Sequence, residues 1–149
     1  MRRLPLDGLA WGSMSQVVAR GSTVVALGTG AVKDGDPAQL VVWRSADGGR
    51  TWHHQLLAAE LQTDIVTLVA LSSGFGVIAS RVDETTRPVL LLSDDGTSWR
   101  DHPVDTVPQQ PGEGAQVVDA VPDGDDLQLL VRTTNRLGAG TRVVVQPTR

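Results

Sequence analysis

Four carboxylates, three histidines and two tryptophans are among the side chains that could do chemistry outside the repeated motif of this chain. Glu60, Asp64, Glu113 and Asp119 fall near segments read below as inner strands. Two of them about 5 to 10 Å apart could serve as acid and base across a sugar, although nothing in their spacing separates them from surface carboxylates. His53 and His54 are adjacent, and His102 lies further on. Neighbours on a strand point to opposite faces, so the pair reads as solvated rather than as metal ligands. "DGD" (Asp34–Asp36) and "DGDD" (Asp123–Asp126) lack the terminal Glu of a calcium loop and read as hairpin turns. No metal or cofactor is expected. Trp43 ends an apolar run and reads as core, whereas Trp11 follows a Gly-containing lead and is the better platform for stacking on a sugar ring.

The elements that must position these residues are short. "SQVVA", "STVVALG", "QLVVW", "DIVTLVAL", "FGVIAS", "PVLLL", "AQVVDAV", "DLQLLV" and "TRVVVQ" are apolar, β-branched segments between Gly, Asp and Pro clusters, and each predicts a strand. Only "LLAAELQT" suggests a single helical turn. The fold class is all-β. With 149 residues the chain has room for one domain. Its 20% charged residues carry a net charge of −4, and no basic cluster accompanies the few aromatics, which argues against a nucleic-acid groove. Cysteine is absent, so disulfides and thiolate metal sites are excluded. The start "MRRLPLDGLAWGS" has no apolar run of signal-peptide length, and "SSGFG" breaks the longest uncharged run, so no membrane span is expected. A cytoplasmic location follows, or a secreted one if these residues are part of a longer chain.

The strands repeat. "RSADGGRTW" (Arg44–Trp52) is followed 47 residues later, Trp to Trp, by "LSDDGTSW" (Leu92–Trp99). Each unit contains a strand, a Gly turn, a second strand, a loop, a third strand, the Ser-Asp-Gly turn and a Trp-led fourth strand. Residues 13–58 and 63–105 make two complete units, and residues 114–147 make three strands of another. Residues 1–7 read as a displaced fourth strand, because "MRRLPLD" lies over "WRDHPVD": Arg2 matches Arg100, Pro5 matches Pro103 and Asp7 matches Asp105. The third strands "LVVW", "VLLL" and "VVV" are continuously apolar, which predicts burial on both faces.

Ser45, Asp47, Gly49, Thr51 and Trp52 fit the pattern Ser-x-Asp-x-Gly-x-Thr-Trp, and Ser93, Asp95, Gly96, Ser98 and Trp99 form a copy one residue shorter. The chain thus resembles the Asp-box, or BNR-repeat, β-propeller families, which include sialidases, some glucanases and many non-enzymatic propellers. The resemblance implies four-stranded antiparallel blades, three per chain, with each box acting as a structural turn at the periphery. Gly supplies the left-handed backbone, and Asp and Ser bond the turn's own amides. Sialidases of these families use a Tyr nucleophile, and this chain has no Tyr. They also hold a carboxylate with clustered arginines, a role open to Arg44, Arg81 and Arg132 if these lie in a ring. A closed propeller has about four to eight blades, so three per chain suggest a homodimer with six. The expected function is a non-catalytic binding or scaffold module for a carbohydrate or a protein partner, with neither a nucleic acid nor a membrane involved. The alternative is a fragment of an Asp-box glycoside hydrolase whose catalytic residues lie on other blades.

Overall fold

A computed structural model of the chain describes residues 8–57, 61, 67–82, 86–104, 115–133 and 140–145. These residues form eleven strands and no helix, the all-β architecture that the alternating apolar segments predict. Most of the "LLAAELQT" segment and the displaced strand at residues 1–7 lie outside the described residues. No helix among the described residues is long and apolar enough to cross a membrane.

The strands pair strictly in chain order and antiparallel. β1 (Trp11–Arg20), β2 (Thr23–Ala31), β3 (Gln39–Ser45) and β4 (His53–Leu56) make the first sheet. β5 (Thr67–Ala70), β6 (Phe75–Val82), β7 (Thr86–Ser93) and β8 (Arg100–Pro103) make the second, and β9 (Ala115–Asp123), β10 (Asp126–Thr133) and β11 (Gly140–Val145) make the third. β1 begins at Trp11 rather than at Ser15, where the apolar pattern starts. The added residues "WGSM" have little strand character of their own, but they pair with the Gly-rich end of β2 from Trp11↔Ala31 to Met14↔Gly28.

The sheets stack face to face, and burial follows from that stacking. Leu40 and Val42 of β3 join Phe75, Val77 and Leu91 in a core between the first and second sheets. Val41 and Trp43 point the other way, into a smaller cluster with Leu9 and Ala26. All four β3 residues are at most 1% exposed, so the continuous run "LVVW" is buried on both faces as predicted. The second sheet repeats the arrangement: Val89 and Leu91 face the first sheet, while Ile78 and Leu90 face Val117, Leu127 and Leu129 of the third. The first strands of the units run close together, β1 against β5 and β5 against β9. The side chain of Gln16 crosses from β1 to accept the amide of Leu68 at 2.8 Å.

The ends of the stack leave apolar residues open, Val17 of the first sheet among them. On the far side of the third sheet Val118, Val121 and Leu130 are about half exposed, at 52%, 55% and 46%. Val118 sits where β9 bulges against β10, and Asp119 and Val121 oppose Leu130 and Gln128.

Candidate functional site

Among the described residues, the repeated turns are densely hydrogen-bonded. In the first, the Ser45 hydroxyl is fully buried, donates to Asp47 Oδ1 at 2.8 Å and accepts the Gly49 amide at 2.8 Å. Asp47 Oδ1 also accepts the amides of Arg50 and Thr51 at 3.0 and 2.9 Å, and Oδ2 accepts the Thr51 hydroxyl at 2.7 Å. Gly48 and Gly49 take φ of 71° and 91°, the left-handed backbone that lets the chain double back within five residues. The Trp52 indole closes the turn by donating to Gly49 O at 2.9 Å.

The second turn keeps this logic with one residue fewer. Ser93 Oγ accepts the Gly96 amide at 2.8 Å and donates to Asp95 Oδ1 at 3.2 Å. Asp95 Oδ1 accepts the amides of Thr97 and Ser98 at 2.8 and 3.1 Å. The indole contact is not kept: Trp99 Nε1 is buried with no hydrogen-bond partner among the described residues. Trp99 instead packs its ring against the core between the first and second sheets.

Both aspartates are engaged as acceptors by the turns they close. Asp47 is held well below the ordinary carboxylate range, first by the Thr51 amide, then by the Thr51 and Ser45 hydroxyls. Asp95 is lowered in the same way by the Thr97 hydroxyl and amide and by the Ser98 amide. An unfolded Asp takes up its proton near pH 4. The folded carboxylates hold out to lower pH, so their stabilisation is complete above about pH 4 and is lost as pH falls through the folded values. Stability should therefore climb with pH between about pH 2 and pH 4, and the D47N/D95N double variant should flatten that climb. Urea midpoints across an acid pH series measure this, and an unchanged slope in the variant would assign the effect to other groups.

The second turn also joins two sheets. Arg44 Nε donates to Asp95 O at 2.6 Å, a contact spanning 51 residues. A side chain at Gly96 (φ 78°) would strike Val25 Cγ2 at 2.7 Å and approach the Arg44 stem at 3.4 Å. Arg44, considered for an anion site, is thus used to hold the neighbouring turn. Arg81 and Arg132 occupy equivalent positions in β6 and β10, each near the end away from the repeated turn, in register with Arg87 and Gly140. The three arginines are not brought to one end of the stack.

The remaining candidates are dispersed. Trp11 is 38% exposed at the start of β1, in contrast to Trp43 at 1%. Asp119 is exposed and its carboxylate accepts the amide of Ala120 at 2.8 Å. Glu60, Asp64 and Glu113 lie outside the described residues. His53 and His54 sit opposite Arg44 and Trp43 in register and so point to different faces. Among the described residues no cluster of His, Asp or Glu could hold a metal ion.

One groove was not legible in the sequence. It lies at the turn end of the stack between the second and third sheets and has a volume of about 600 Å³. Leu71, Phe75 and Leu92 line it together with Asp94, His102 and Asp125. Beside it the two sheets are pinned together: Ser72 N donates to Gly124 O at 2.9 Å, and Ser73 N to Asp125 Oδ1 at 2.7 Å. No protein-family model, curated protein or solved structure matches the chain.

Proposed function

We propose that the chain is a non-catalytic binding or scaffold module, three blades of an Asp-box β-propeller that completes a six-bladed ring with a second copy. The observation carrying this reading is the open apolar face of the third sheet. Each interior sheet face is closed by apolar neighbours, whereas the third sheet leaves Val118, Val121 and Leu130 open to solvent. Stacked repeats need a neighbour to bury such a face. The regular meander order and the side-by-side first strands support the blade assignment. Engagement of Asp47 and Asp95 within their own turns supports a structural use of the boxes.

The ligand class is a carbohydrate or a protein partner received near the first strands. Trp11 is the exposed ring there, and it offers an apolar face of the kind sugars stack on. Saturable quenching of tryptophan fluorescence by simple sugars, lost in Trp11→Ala, is the expected result; no response to any sugar would leave the protein partner as the ligand.

Light scattering after size exclusion tests the assembly. Twice the chain mass is expected, and deletion of Met1–Leu6 should return a folded single chain. A single-chain mass for the intact protein would overturn the six-bladed reading.

A further inference from the structure

The two junctions between sheets are equivalent by the repeat, yet they are filled differently. In register, Phe75↔Ser93 of the second sheet corresponds to Val24↔Ser45 of the first, so Gly76 and Leu92 stand where Val25 and Arg44 stand. At the first junction the second repeated turn sits on Val25 and Arg44, and Trp99 follows it into the core between the sheets. At the second junction the corresponding surface is the floor of the 600 Å³ groove, with Leu92 among its lining residues. The 149 residues contain two Ser-Asp-Gly-Trp motifs, and neither belongs to the third sheet.

We propose that this groove receives the Met1–Arg3 segment of a second copy, with Met1 taking the place that Trp99 takes at the first junction. The proposal rests on the two-copy reading above. The sequence match sets the position. Laying "MRRLPLD" over "WRDHPVD" puts Met1 on Trp99 and Arg2 on Arg100. A strand added to β11 in that phase would start at the turn end of the third sheet, beside the groove. The ring of Trp99 turns toward the sheet before its own, and a residue in its place on the third sheet would turn toward the second.

The chemistry of the groove suits this occupant. Its floor of Leu71 and Leu92 takes an apolar side chain, and an unbranched thioether adapts to an irregular cleft. Asp94 and Asp125 stand among its walls, and Arg2 and Arg3 bring two positive charges. Arg100 already pairs with Asp94 at 3.0 Å on the exposed side, which leaves the attraction modest and makes the apolar plug the main contribution.

The absence of cysteine makes the test direct. Arg3→Cys and Asp94→Cys are made as separate full-length chains, mixed to allow exchange, and treated with a short bis-maleimide. A covalent dimer is expected in the mixture, enriched roughly tenfold or more over either variant alone, because adjacent thiols experience a far higher effective concentration than free chains. A two-chain mass without that enrichment overturns the groove assignment and leaves the dimer standing. A single-chain mass with no cross-link overturns both. A cross-link confined to single chains of the R3C/D94C double variant would place the segment in its own groove and likewise overturn the proposal.

Discussion

Gly28→Ala is expected to destabilise the fold by about 4 kcal/mol or more, in the far tail of single substitutions. The cause is a backbone approach and not a cavity. β1 carries one extra residue between Met14 and Gln16, so that Met14 opposes Gly28 while Gln16 opposes Leu27. The bulged Ser15 turns its hydroxyl onto Leu27 O at 3.2 Å, and the β1 backbone is drawn down over Gly28. A Cβ at Gly28 would land on the carbonyl oxygen of Ser13 and come within 2.8 Å of Met14 Cα. Neither can swing aside as a flexible side chain would, so the substitution must separate β1 from β2. For a chain of this size the melting temperature should fall by roughly 10 °C. Gly35→Ala is the control. That glycine has a φ of 91° with nothing within 4 Å of where a Cβ would sit, so only the left-handed penalty of about 1 to 2 kcal/mol applies. Urea unfolding of the two variants decides the matter; equal midpoints would mean that β1 is not held in the bulged register.

That bulge shows what the sequence could and could not reveal. Glycines inside "ALGTGA" signal a bulge or a close approach within a strand, but not which backbone arrives there. The apolar, β-branched runs marked the strands, because continuous burial on both faces leaves no polar face to obscure them. β1 was the exception: its first four residues are strand because of the partner they pair with, not through their own preference.

The repeated turns were readable because their chemistry is local. Their internal hydrogen bonds from Ser45 or Asp47 reach no further than four residues. Contacts between the sheets were not readable. The bond from Arg44 to Asp95 O crosses 51 residues and exists only once the second turn is seated on the first sheet. Arg44 therefore looked like a solvent-facing strand end available to an anion. The groove was hidden for the same reason, since it is defined by which junction the second turn occupies and which it does not.

Phe75→Ala is expected to destabilise by about 3 to 5 kcal/mol, with the damage concentrated at the first junction. Phe75 is the only Phe in the chain and is 1% exposed. It stands at the start of β6 opposite Ser93, which anchors the second turn. Its ring faces the first sheet, in one cluster with Val25, Leu27 and Leu91 and with the flank of Trp99. Truncation would open a void beneath the very turn whose Gly96 meets Val25 and whose Asp95 carbonyl meets Arg44. Loss of near-ultraviolet ellipticity from Trp99 should therefore accompany the loss of stability. Phe75→Leu keeps the site apolar and removes less volume, so it should cost less than the truncation while keeping the ellipticity. If Phe75→Ala lowered stability but left the tryptophan signal unchanged, the core and the turn would be independent. The second turn would then be held by its own hydrogen bonds alone, and the equivalence drawn between the two junctions would lose its physical basis.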